Sequence, residues 1–217
     1  PARIAHHARR SLTEPRGRGL HEPASYLGSM APPRYTGAML LFTHPSMLRH
    51  ETPPGHAEHA GRLQAVLDAL EDTELDRREA PYASREAIAR VHPERYIDAL
   101  EPAFAETQNA RVRLDPDTYI SEGSREAIYR AAGACVAAVD AVMQGEDDLA
   151  FCAVRPPGHH AEPITPMGFC VFNNVAIGAL HALDAHGLKK VAVVDFDVHH
   201  GNGTQTIAEK ERRLMIA

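Results

Sequence analysis

No apolar run in the sequence approaches the roughly 18 residues that a membrane-spanning helix needs, so a transmembrane segment is not expected. Cysteine is scarce. Cys135, Cys152 and Cys170 form neither an even set nor a C-x-x-C pair, which excludes a disulfide scaffold and points to reduced thiols in a cytoplasmic protein. A basic excess is lacking too: the formal net charge is −6, so no positive field attracts a phosphate backbone and direct nucleic-acid binding is disfavoured. Internal repeats and a second domain are absent.

What is present is enough for one sizeable core, with 44% hydrophobic residues in 217. Residues 1–36 carry six arginines, several prolines and glycines and no apolar periodicity. They read as a disordered arm or as upstream sequence, with Met30 or Met39 as alternative starts. Arginine richness fits a transit peptide, whereas Glu14, Glu22 and the missing amphipathic pattern do not. The folded part is expected over 37–217.

Within it, Ala38–Phe42 reads as a buried strand, and Leu63, Val66, Leu67 and Leu70 mark one stripe of a helix. Ser84 to Leu100 suggests two short helices meeting at Val91 and His92, because Pro93 suits a first helical turn. Ser124 is expected to cap a helix with the stripe Ile128, Ala131, Cys135, Val139 and Val142, ended by Gly145. Leu149–Val154, a helix from Asn173 to His186 stopped by Gly187, Val191–Asp195, a helix near Thr204–Glu209 and a last strand at Leu214 complete a β-α-β-α-β order. That order predicts an α/β fold with a mostly parallel sheet covered on both faces. The last strand has no following partner, so the chain reads as part of a longer protein.

Two polar constellations sit at expected carboxyl ends of strands, where open α/β sheets bind ligands. After Val191–Val194 come Asp195-Phe196-Asp197-Val198-His199-His200-Gly201-Asn202-Gly203. If the extended backbone persists, Asp195, Asp197 and His199 share one face and Phe196 and Val198 the other. A carboxylate and an imidazole two residues apart can reach one metal ion. Upstream, Arg155-Pro156-Pro157-Gly158-His159-His160 places tandem imidazoles on a stiff loop, a pattern suited to taking and returning a proton near neutral pH. Taken alone, each motif is more often a solvated loop than a site. His92 reads as a satisfied core histidine.

Together with GFCVFNN at 168–174 and VDFDVHHGNGTQ at 194–205, the stretch RPPGHHAE at 155–162 closely resembles the zinc-dependent histone deacetylase superfamily. The likeness is greatest to its class II type and to bacterial relatives that include acetylpolyamine amidohydrolases. It runs from about Thr36 to Ala217, with weaker matches at Val91–Tyr96 and Asp115–Ser124. The resemblance implies the three-layer α/β/α arginase-like fold, one catalytic zinc, structural potassium and hydrolysis of an acetylated lysine in a protein or peptide, or of an acetylated polyamine. Asp197 and His199 resemble two of three zinc ligands; the third ligand and an oxyanion tyrosine are implied beyond Ala217, so the chain as given is expected to be inactive. His160 resembles the general base and acid. His159 resembles its partner, oriented by Asp195, which with Asp197 and His199 also belongs to the potassium site. Gly168 and Phe169 resemble the acyl-channel wall and Asp117 the rim acid. Arg62 resembles the arginine of the acetate passage, although Ala57 and Ala60 stand where the family has prolines. Asn202, where class I enzymes carry aspartate, orients an imidazole without adding charge. Competing readings are a small acetyl-amide hydrolase, a non-catalytic acyl-lysine binding module and a cysteine hydrolase using Cys170 with His159; homo-oligomerisation is left open.

Overall fold

The computed structural model describes residues 39–108 and 110–217, so the expected N-terminal arm and Ala38 lie outside the described residues. In chain order the elements are β1 (Leu40–Thr43), a 3₁₀ turn (Pro45–Arg49), α1 (Ala60–Ala69), β2 (Asp76–Glu79), α2 (Arg85–Ala89) and α3 (Glu94–Glu106). They continue with β3 (Val112–Arg113), β4 (Tyr119–Ile120), α4 (Ser124–Met143), β5 (Ala150–Cys152), α5 (Asn174–Asp184), β6 (Val191–Val193), α6 (Asn202–Ala208) and β7 (Leu214–Ile216). Strands β2, β1 and β5 form one parallel sheet in that order, and β6 and β7 form a second parallel pair. Only the short ribbon β3–β4 is antiparallel among the described strands.

Strand β1 is central, and its Leu40, Leu41 and Phe42 are almost wholly buried, as an apolar run flanked on both sides requires. Its neighbour β2 reads Asp-Arg-Arg-Glu and carries no apolar signal. It is an edge strand held by the backbone ladder to β1, and its Arg78 pairs with Asp76 and Glu146. Strand β6 is covered only in part within this chain. Val193 is buried, but Ala192 and Val194 are exposed.

The helices form where their signals place them, with corrections: α3 continues past the expected Leu100 to Glu106, and Cys135, Val139 and Val142 of the expected α4 stripe are only half-buried. Gly123, not Ser124, occupies the N-cap of α4. The Ser124 hydroxyl instead accepts from the Ser121 amide at 2.6 Å and lies 2.6 Å from His50 Nδ1, so a buried network outbids the cap. On α1, Leu63 is buried and Leu67 and Leu70 pack partly, but Val66 is exposed, which narrows the stripe. Gly145 does close α4 with φ +75, its amide and that of Glu146 reaching the Val142 and Ala141 carbonyls at 3.0 Å each. Asn173 caps α5 by accepting from the Ala176 amide at 3.1 Å. No helix of the described residues is long and apolar enough to cross a membrane.

Helix α4 joins the two apolar clusters. Ile128 and Ala132 face Phe172, Ile177 and Leu183, while Ala127, Ala131 and Ala134 face Leu40, Leu41 and Met47. Small residues let it come close: a Cβ on Gly133 would lie 1.9 Å from the Pro81 carbonyl oxygen and 2.7 Å from the Ala83 nitrogen. Glycine to alanine inside a helix ordinarily gains up to about 1 kcal/mol. Here overpacking wins, and Gly133→Ala is expected to lower stability by about 2 kcal/mol or more, measured as a lower urea midpoint. A midpoint equal to or above wild type would contradict this packing.

Candidate active site

The loop after β5 and the loop after β6 leave the carboxyl ends of their strands and meet at the N-terminus of α6. On the first loop stand His159 and His160, with ring centroids 4.0 Å apart. They have different partners. His159 Nδ1 lies 2.9 Å from Asp195 Oδ2, whereas His160 Nδ1 lies 2.7 Å from Asn202 Oδ1. The Asn202 amide nitrogen donates to Glu162 Oε1 at 3.1 Å and faces the Met167 sulfur at 3.4 Å, which directs its oxygen at His160. An amide oxygen only accepts, so His160 donates through Nδ1 and keeps the Nε2 lone pair free. Glu162 escaped the sequence reading; its only signal was its place two residues after His160.

Glycines make room for this pair. A Cβ on Gly201 would fall 2.3 Å from Asp195 Oδ2, and one on Gly168 would fall 2.4 Å from His160 Cδ2. Gly168 has φ +55 and is followed by Phe169 at φ 71, a left-handed conformation uncommon for a non-glycine residue. The Phe169 amide donates to Thr118 Oγ1 at 3.0 Å, and its ring meets His56 edge-on at 4.9 Å. Asp117 is on the same rim: its carbonyl faces His56 Nε2 at 3.0 Å, and burial together with Asp115 raises its carboxyl above the ordinary value.

Asp197 and His199 sit on the second loop, which bends at 197–199 instead of staying extended. Asp195 Oδ1 accepts from the Asp197 amide at 3.2 Å and Asp197 Oδ1 from the His199 amide at 2.8 Å, and that second bond holds the Asp197 carboxyl below its ordinary value. Asp197 Oδ1 is 3.1 Å from His199 Nδ1. A tetrahedral zinc with bonds of about 2.0–2.2 Å separates adjacent donors by about 3.4 Å, so this carboxylate–imidazole pair fits two of its corners. The His199 and His160 rings are 6.1 Å apart. Thus His159, His160, Asp195, Asp197, His199 and Asn202 converge, with Gly168 and Phe169 at their edge.

Arg62 is placed elsewhere, lining a cavity of about 490 Å³ with Glu58, Leu63, Arg155 and Pro157. Beneath the site, Arg155 pairs with Glu58, both almost fully buried, and donates to the Met47 carbonyl at 2.8 Å. His92 is a core residue: it donates from Nδ1 to the Pro163 carbonyl at 3.1 Å and accepts the Asn173 amide at 2.9 Å on Nε2. It therefore ties the first loop to the start of α5. Cys170 is fully buried and burial pushes its thiol up to about 12, which leaves no thiolate for nucleophilic chemistry at neutral pH.

The histone deacetylase domain family matches residues 56–217. Over 162 residues the chain is 44% identical to the histone deacetylase-like amidohydrolase of Pseudomonas aeruginosa, covering 71% of this chain and 42% of that protein. It is 38% identical over 185 residues to the chloroplastic histone deacetylase 14 of Arabidopsis thaliana, covering 77% and 44%. The crystal structure of the HDA15 HD domain superposes with a TM-score of 0.77 at 34% identity, covering 83% of this chain and 53% of that one. The chain therefore spans about half or less of the length of these proteins.

Burial pushes His92 down to about 4 and His50 down to about 3 from an ordinary 6.5. Each binds a proton in the unfolded chain at pH values where the folded chain does not, so stability is full above pH 6.5 and falls as pH drops towards those folded values. From pH 7 to pH 5, His92 alone should cost about 2 kcal/mol. Urea unfolding at the two pH values checks this; His92→Gln should remove that share of the slope, and an unchanged slope would show that His92 is not buried neutral.

Proposed function

The chain belongs to the histone deacetylase domain family, and from that membership we propose that it carries the proton-transfer residues and two metal donors of a zinc-dependent amidohydrolase acting on acetylated lysine side chains. One observation carries the reading: two neighbouring imidazoles, one backed by a carboxylate and the other by an amide, stand beside a carboxylate–imidazole donor pair. The relatives named as histone deacetylases and deacetylase-like amidohydrolases support the acetyl-amide substrate.

Bound between Asp197 and His199, zinc would supply Lewis acidity to a water and to the amide carbonyl. The free Nε2 of His160 takes a proton from the attacking water as the C–O bond forms. It returns that proton to the amine nitrogen as the C–N bond breaks, leaving acetate and a free amine. Asn202 and, through it, Glu162 hold the ring in the tautomer this needs. His159, against Asp195, supports positive charge as protons move nearby. Phe169 and Gly168 would wall the acyl channel, and Asp117 would accept substrate amides at the rim. Asp197 and His199 are two donors where a catalytic zinc takes three protein ligands, so the third comes from outside the described residues. Potassium on the 195–199 loop and a reducing cytoplasmic setting in keeping with three free thiols complete the proposal.

In the full-length gene product, Asp197→Ala and His199→Ala should each abolish stoichiometric zinc in elemental analysis, and retained zinc in either would remove the donor assignment. His160→Ala should lower kcat on an acetyl-lysine peptide by about 10²–10⁴-fold, more than His159→Ala does. The reverse order would exchange the two roles. Running acetylated polyamines beside the peptide decides the substrate class: a higher kcat/KM on the polyamine would replace lysine as the target.

A further inference from the structure

We propose that Asp140, His181 and His186 form a second metal site, separate from the Asp197–His199 pair, that takes a transition-metal ion such as zinc. Asp140 Oδ1 lies 2.6 Å from His181 Nε2 and 2.7 Å from His186 Nε2, and the three donor atoms all fall within 4.8 Å of one another. The two imidazoles meet edge-on with centroids 5.3 Å apart. One carboxylate oxygen and two imidazole nitrogens are a donor set that zinc accepts, and reaching tetrahedral spacing requires the contacts to open by less than about 1 Å.

The fold, not a flexible loop, brings these groups together. Asp140 is on α4 and His181 on α5, and the helices touch where a Cβ on Gly178 would be 3.2 Å from the Cys135 Cβ and carbonyl oxygen. His186 follows the end of α5, where Gly187 turns the chain at φ +68. Ion pairs to Asp140 among the described residues come from these two histidines, so its charge is met by groups that can exchange a proton for a metal. Partial exposure of all three side chains leaves room for a water as fourth ligand. His181 Nδ1 is buried without a hydrogen-bond partner, so this imidazole lacks the acceptor behind it that strengthens zinc sites, and the affinity should be modest. His181 is seven positions along α5 from Asn174 beside the first site, about 10 Å along the helix, so an ion here takes no part in the proposed hydrolysis.

The test uses the full-length gene product with Asp197→Ala and His199→Ala, so that the donors proposed for catalysis are gone. After equilibrium dialysis against micromolar zinc, elemental analysis should find about one equivalent bound, and cobalt should give the visible absorption of a tetrahedral nitrogen–oxygen site. Adding Asp140→Asn or His186→Ala should weaken binding by more than about 10-fold, a loss that removal of an outer partner alone can cause. Asp140→Asn keeps a hydrogen-bonding group, so it decides the matter if His186→Ala does not fold. Absence of bound metal in the parent, or binding unchanged by Asp140→Asn, would reduce the cluster to a clamp between two helices and overturn the proposal. Zinc content of the wild-type full-length protein is read separately, so either site can fail without the other.

Discussion

The arrangement rests on a close backbone contact: the start of α6 lies directly against the His159–Ala161 segment. A Cβ on Gly203 would sit 2.3 Å from the Ala161 carbonyl oxygen, and the Thr204 amide donates to the His159 carbonyl at 3.1 Å. Asn173 closes the triangle, giving one amide proton to the Ala161 carbonyl at 3.1 Å and facing Thr204 Oγ1 at 3.2 Å. Three segments are thereby locked to one another, and the buried backbone groups at their contact are bonded. Only then can Asn202 meet His160 and Asp195 meet His159, because both acceptors ride on the segment that the contact positions.

Underneath lies a charged pair that packing alone would not choose. Arg155 and Glu58 are each about 98–99% buried, and the desolvation of two ions is repaid only by good geometry and further hydrogen bonds. Met47 provides one such bond, and His50, 3.6 Å from Glu58 Oε2, borders the other side. Deleting either partner would strand a buried charge, so the pair specifies where the His159–His160 loop leaves β5 more than it adds stability. Its sequence signal was weak, since Glu58 sits in a polar loop that composition marks as solvated.

Much of the fold was legible because strong local signals agreed with the final packing. Asn173 and Gly187 bracket α5, Gly145 ends α4, and the helix break at Val91 and His92 follows from Pro93. Elements held by long-range pairing were not. Strand β2 has no apolar pattern, and β3–β4 is a two-residue ribbon inside what composition reads as a loop. At the site, residue identity was readable from motifs, whereas the partners were spatial facts: Glu162 behind Asn202, and Thr118 under the Phe169 amide. The Asp140 cluster was invisible because its members are 41 and 46 residues apart and each belongs to an ordinary helix pattern.

The 195–199 loop holds its donors by side-chain bonds after the strand ends, although its backbone bends at 197–199. After Asp195 bonds the Ala217 carbonyl at 2.9 Å the ladder stops, and side-chain oxygens take over: Asp195 receives the Asp197 amide and Asp197 receives the His199 amide. Each acid caps the residue two positions on, as short acidic side chains do in turns, which keeps successive donors in step without a neighbouring strand. The intervening Phe196 and Val198, at 96% and 93% exposure, and Val194 before them stand uncovered in this chain, which spans about half the length of its relatives. Within this loop the carboxylate–amide bonds, rather than burial of its apolar residues, fix the backbone.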